Sequence, residues 1–220
     1  PLRGQNNVQG ACDMGGLPNV MTGYQPVADI EVRDKFSEAW GKTLSERPGL
    51  TITDMIPAML EGKLKGLYVI GENPKLSDPD WNHLSHALKE LDFLVVQELF
   101  LSETAQVADV VFSAASMAEK DGTITNTERR CMRINQALQP LANSLPDWQI
   151  ICALAQQMGA EGFGFESASD VMDEIASVTK VNPTYLAFIE EERFEDLPAN
   201  VYVRGFVMGY ATCLGLDVQG

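Results

Sequence analysis

Positive charge is scarce in this sequence. Sixteen Lys and Arg face 31 Asp and Glu across 220 residues, for a formal charge of −15. Affinity for phosphate backbones and anionic bilayers comes from clustered cations, so a general binder of nucleic acid or membrane surfaces is excluded. Long apolar runs are missing as well. The longest, from Phe206 to Leu216, is broken by glycines and falls short of the ~20 residues of a membrane span. Cysteine is sparse: Cys12, Cys131, Cys152 and Cys213 are far apart and form no CxxC pair. That removes the spacing signature of a zinc or iron–sulfur site. Such isolated cysteines are expected as buried thiols in a reducing compartment. Only two histidines occur, His83 and His86. Their i, i+3 spacing has no third ligand beside it, so they are read as exposed helix residues. The phosphate-loop, dinucleotide-fingerprint, nucleophile-elbow and HExxH motifs are all absent. The chain begins at Pro1 rather than Met and is expected to be a piece of a longer protein, with any targeting signal outside it.

What is present is a globular mixture, 45% hydrophobic and 21% charged, long enough for one or two domains. The acidity is uneven. Residues 1–133 hold 13 basic and 19 acidic side chains, residues 134–220 only 3 and 12. An anionic ligand is therefore sought in the first part.

The opening stretch Arg3–Asn19 is rich in Gly, Asn and Gln without sustained periodicity, and reads as a loop. Helical patterning follows at Asp34–Trp40 and Thr53–Glu61. The run Leu67–Ile70 reads as a strand, Gly71–Pro74 as a turn, and Asp78 with Pro79 as the cap and first position of a helix. Trp81, Leu84, Leu88 and Leu91 fall at helical spacing. A second strand, Phe93–Val96, ends in Gln97 and Glu98. Ser102 caps a short helix to about Asp109, and a third strand covers Val110–Phe112. Strand–helix–strand alternation predicts an α/β fold, a parallel sheet with flanking helices. Residues 119–133 read as a hairpin about Asp121 and Gly122. Helices are expected over 147–158, stopped by Gly159, and over 167–178, with a Ser167/Asp170 capping pair.

Ligands of parallel sheets bind beyond the carboxyl ends of the strands. That rule selects Gly71–Ser77, Gln97–Glu98 and the segment after Phe112. The Gly71, Glu72, Asn73 turn either is an ordinary βα connection or presents N–H groups and the Asn73 amide to a phosphate or polar heterocycle, aided by a helix N-terminus. Arg3, beside Gln5, Asn6 and Asn7, either is a solvated side chain or gives bidentate recognition of a carboxylate or phosphate.

Several segments resemble a known family. They are Arg3–Asn19 (RGQNNVQGACDMGGLPN), Gly23–Val27 (GYQPV), Leu67–Pro74 (LYVIGENP) and Phe93–Glu98 (FLVVQE). Thr104–Val111 (TAQVADVV), Ala118–Arg130 (AEKDGTITNTERR) and Pro146–Cys152 (PDWQIIC) continue the match. Together they resemble the catalytic (alpha) subunit of formate dehydrogenases within the molybdopterin oxidoreductases, over roughly residues 1–180. The resemblance implies a Rossmann-like lobe that binds molybdopterin dinucleotide in an enzyme oxidising formate to carbon dioxide. It implies molybdenum or tungsten held by two molybdopterin guanine dinucleotides, and a 4Fe–4S cluster in the parent protein. By motif, Arg3 would orient the formate carboxylate, with Gly4 and Gln5 beside the pterin. Asn73, Ser77 and Gln97 would sit at the dinucleotide-binding ends of the sheet, with Gly71, Glu72 and Thr104 as neighbours. Asn126 and Arg129 belong to a further matching motif.

The metal-ligating cysteine or selenocysteine, its histidine and the cluster cysteines of the family have no counterpart here, nor does its C-terminal β-rich domain. Residues 181–220 form a divergent segment without assignment, and the isolated fragment is expected to be inactive. The implied partners are the remaining domains of the parent subunit and iron–sulfur or NAD-linked electron-transfer subunits, in the cytoplasm. Two other readings keep the fold without the chemistry: a non-catalytic relative such as the large iron–sulfur subunit of NADH dehydrogenase, and a stand-alone binding module.

Overall fold

The computed structural model describes residues 6–126 and 131–179. Their contacts divide the chain into two compact units. The first is built from residues 1–48, 123–133 and 169–220, the second from 49–122 and 134–168.

In the first unit, α1 (Val8–Asp13) precedes a two-stranded ribbon of β1 (Val20–Met21) and β2 (Gln25–Pro26). The Gly- and Asn-rich opening is thus partly helical rather than all loop. Its helix is a single short one, and tertiary contacts explain it. The Asn7 carbonyl oxygen accepts the Thr125 N–H at 2.9 Å. A Cβ on Gly10 would lie 2.1 Å from that same side-chain amide oxygen, so a larger residue there would displace the Asn7 contact with Thr125. Helix α2 (Ile30–Trp40) is capped by Asp29, which accepts the Glu31 N–H at 2.9 Å, and ends at Gly41 with φ of 61°. Phe36 is buried and stacks obliquely on Trp40. Thr22, Phe36 and Ile175 face a small shared cavity, which places α7 (Ala168–Thr179) beside α2 within this unit.

The second unit is a three-stranded parallel sheet in the order β3 (Gly66–Ile70), β4 (Phe93–Glu98), β5 (Val110–Ser113). The α/β class with a parallel sheet and flanking helices is what the strand–helix alternation predicts. Register pairs Val69 with Val96 and Ile70 with Gln97. A parallel bridge from Ala114 to Leu145 continues the sheet beyond β5. Residues 67, 69, 94 and 96 share one face, because strand side chains alternate. That face packs on Ile56 and Met59 of α3 (Ile52–Leu60) and on Leu84, Ala87 and Leu88 of α5 (Trp81–Lys89). Helix α6 (Asp147–Gln157) buries Ile150 and Cys152 and stops before Gly159, whose φ is 75°.

Three local expectations are corrected. The helix after the Gly71–Pro74 turn begins two residues later than Asp78. Asp80 caps it by accepting the His83 N–H at 3.1 Å, while Asp78 accepts the Asp80 N–H at 2.8 Å. The intervening α4 (Pro74–Ser77) is one turn long. The helix expected after Ser102 is a single 3-10 turn, Ala105–Val107; the chain must re-enter the sheet at Val110. In the 119–133 excursion, β6 (Gly122–Thr125) pairs with β7 (Cys131–Ile134). Gly122 thus opens a strand rather than turning the hairpin. The free thiols of Cys12 and Cys152 are buried as expected, and burial pushes the Cys152 thiol pKa up.

Candidate functional site at the carboxyl end of the sheet

Six of the sequence-predicted residues gather where β3 and β4 end. Gly71, at φ of 63°, leaves β3 and donates its N–H to the Gln97 carbonyl at 2.9 Å, adding one rung beyond the ladder. Glu72 is exposed and accepts the Ser77 hydroxyl at 2.7 Å. The Asn73 carbonyl oxygen accepts two bonds from Thr104, from its N–H at 3.1 Å and its hydroxyl at 2.7 Å. The Asn73 amide nitrogen donates to Glu103 at 2.6 Å. The amide orientation follows from the chemistry, since a backbone N–H can only donate. Thr104 is fully buried, and its hydroxyl oxygen also accepts the Lys75 N–H at 3.1 Å.

Gln97 is equally buried, and its side chain is engaged at both ends. Its oxygen accepts the Tyr68 hydroxyl at 2.6 Å, and its nitrogen donates to Asp147 at 2.7 Å. The Lys120 ammonium pairs with the other Asp147 oxygen. A chain of four polar side chains thus crosses from β3 to the first turn of α6. Burial pushes the Tyr68 phenol pKa up, and the Asp147 carboxylate adds to it. Glu103 is held below the usual glutamate range first by the Asn73 amide. Glu119 is held down first by the Ser116 N–H.

An open groove of about 330 Å3 lies beyond β4 and β5, lined by Leu99, Phe100, Ser113, Ser116, Glu119 and Leu141 among others. It occupies the third segment that the parallel-sheet rule selects. Tyr68, Glu103, Lys120 and Asp147 were not anticipated. Only Tyr68 carried a signal, as a polar residue on the face of β3 opposite Val69. Among the remaining predicted residues, Asn126 lies in the other unit. Arg3, Gly4, Gln5 and Arg129 lie outside the described residues. Both histidines are exposed. Among the described residues no group of three or more His, Cys, Asp or Glu is placed to hold a metal, and no helix is long and apolar enough to cross a membrane.

The helix-terminus argument for Gly71–Asn73 is also revised. One turn of α4 aligns too few peptide dipoles for a sizeable terminal charge. The chemistry offered is acceptor-rich: the exposed Glu72 and Ser77, with Lys75 the nearby cation and Lys120 neutralised by Asp147. This set fits the N–H edge of a polar heterocycle better than it fits a diphosphate.

A three-stranded parallel sheet flanked by helices, with a polar cluster at its carboxyl end, defines the class as an α/β domain. A family model, molybdopterin oxidoreductase, matches residues 2–157, and the chain belongs to that family. Membership implies a molybdenum or tungsten pterin cofactor. A helix-turn-helix domain model matches residues 166–220, of which 166–179 are described. The chain is 54% identical over 180 residues to the F420-dependent formate dehydrogenase 1 subunit alpha of Methanococcus maripaludis, covering 81% of this chain and 26% of that protein. It is 50% identical to the putative formate dehydrogenase YrhE of Bacillus subtilis, covering 81% of this chain and 18% of the relative. Acetylene hydratase from Pelobacter acetylenicus shares the fold, with a TM-score of 0.51 and 20% identity over 68% of this chain and 22% of that one. The chain therefore spans about a quarter or less of the length of these relatives.

Proposed function

We propose that this chain is the α/β lobe of a formate dehydrogenase catalytic subunit, acting on formate at a molybdenum or tungsten centre with two molybdopterin guanine dinucleotides. The observation that carries the reading is identity of 54% and 50% to two proteins named as formate dehydrogenases, each over 81% of the chain. The sheet's acceptor-rich edge supports it, because a guanine or pterin offers N–H groups to carboxylate and hydroxyl oxygens. When bound, the metal–pterin group supplies the two-electron redox chemistry. The chain's own task is to bind and orient. Glu72 and Ser77 are exposed toward a heterocycle, whereas Asn73, Gln97 and Thr104 hold the strand ends. Residues 1–180 form the family domain, and 181–220 a divergent segment. Arg3 orients the formate carboxylate with Gly4 and Gln5 beside the pterin, and Asn126 and Arg129 supply further polar contacts. A 4Fe–4S cluster and electron-transfer subunits belong to the rest of the assembly.

Metal analysis by ICP-MS and assay of released guanine nucleotide on the full-length protein test this. Both are expected in stoichiometric amounts, and a protein free of molybdenum, tungsten and guanine overturns the proposal. In the same protein Arg3→Ala is expected to lower formate oxidation roughly 100-fold, the scale of losing one preorganised charged donor. Unaltered turnover would remove the substrate-orienting role from Arg3, and a wild-type protein that does not oxidise formate would favour a non-catalytic relative.

A further inference from the structure

We propose that Asn73 is a positioning residue: it straps the turn after β3 to the segment after β4, and so holds Glu72 and Ser77 in place at the carboxyl end of the sheet. The inference rests on the dinucleotide-binding role proposed above, and it reassigns Asn73 from contacting the ligand to building the site.

The argument is one of hydrogen-bond capacity. The amide oxygen has two lone pairs, and both are taken by Thr104. One of the two amide N–H groups is taken by Glu103 at 2.6 Å. Thr104 has no exposed surface, and its hydroxyl closes the circuit by accepting the Lys75 N–H. Two loops 31 residues apart in sequence are thereby joined immediately after Glu72, at Asn73 and Lys75. The buried Thr104 end of this circuit fixes the geometry, because moving Asn73 or Lys75 away would leave the Thr104 N–H and hydroxyl unsatisfied inside the protein. Glu72, which accepts from Ser77, is the exposed group whose position the strap sets. A ligand-contacting Asn73 could offer only its second amide N–H without surrendering bonds that the protein already makes.

The test uses the full-length protein. It reads guanine nucleotide released per protein, together with amide hydrogen exchange at Lys75 and Thr104. Asn73→Asp sets a second carboxylate against Glu103. Guanine content is expected to fall roughly tenfold, the size of one lost charged hydrogen bond, and the two amides to exchange faster. Adding Glu103→Gln reverses the polarity of the pair, with Gln donating to Asp. It is expected to restore both readouts to within roughly twofold of wild type, as for two directly coupled residues. Failure of the double variant to recover either readout overturns the strap, because a direct ligand contact is not repaired from Glu103.

Should Asn73→Asp fail to fold, Thr104→Val and Thr104→Ser decide. Serine keeps the bridging hydroxyl and is expected to retain guanine, whereas valine removes the hydroxyl and is expected to lose it. Equal behaviour of the two overturns the proposal. A wild-type protein without guanine or metal overturns the proposed function instead, and the exchange rates then judge the strap alone.

Discussion

At the scale of single residues, the site is made of side chains that satisfy one another across long sequence separations. Gln97 finds partners 29 and 50 residues away. Gln97→Leu keeps the approximate volume but strands the Tyr68 hydroxyl and half of the Asp147 carboxylate. It is expected to cost about 1–3 kcal/mol, the penalty for leaving buried polar groups unpaired. Denaturant unfolding at neutral pH measures it, and an unchanged midpoint would mean that water replaces the amide. This residue also marks the limit of sequence reading. A polar side chain at a strand end was legible as a site residue by the parallel-sheet rule. That its capacity is spent inside the protein was not, since no local spacing encodes Tyr68 or Asp147 as partners. The same holds for Asn73, whose position was readable and whose role was not, whereas Thr104 was reached only through the family resemblance.

At the scale of elements, the three strands and the helices α2, α3, α5, α6 and α7 were legible, because hydrophobic periodicity records which face is buried. Leu84 and Leu88 repeat at helical spacing and both enter the core with Val69, Leu94 and Val96. Leu84→Ala is expected to cost about 2–5 kcal/mol through lost burial and a cavity that the sheet cannot close. Gly71→Ala is the contrasting case. No atom lies within 4 Å of the added Cβ, so the whole penalty comes from φ of 63°, about 1 kcal/mol. A thermal scan that ranks Gly71→Ala as more damaging than Leu84→Ala would contradict this assignment of causes. Elements that depend on side-chain chemistry rather than periodicity were the ones misplaced. The start of α5 turns on which of two nearby aspartates, Asp78 or Asp80, reaches the first free N–H. The helix α1 depends on a contact between Asn7 and Thr125, 118 residues away.

At the scale of the whole molecule, the charge of −15 first excluded partners and then set a problem for a cofactor that carries phosphates. The described edge of the sheet carries more exposed carboxylate than free cation, so phosphate neutralisation falls to residues such as Arg129 under the proposed function. The acid balance also predicts how stability responds to pH. Glu103 and Glu119 are both held below the ordinary glutamate value of 4.5 in the folded chain, by the Asn73 amide and by the Ser116 N–H respectively. A carboxyl whose pKa is lower when folded binds its proton more readily when unfolded. Its contribution is therefore complete above 4.5 and disappears as pH falls through the lower folded value. The sequence isoelectric point of about 4.4 lies at the same place, so charge repulsion relaxes just as these two bonds begin to weaken. Because Glu103 is exposed and Glu119 no more than half-buried, each effect is small and sensitive to salt. The unfolding midpoint is expected to hold from neutral pH down to about 5 and to decline below 4.5. The decline is expected to be shallower in Glu103→Gln and Glu119→Gln, whose neutral amides have no proton to gain. Acid scans of the two variants beside wild type check this. Equal slopes in all three would assign the acid loss to carboxylates elsewhere in the chain.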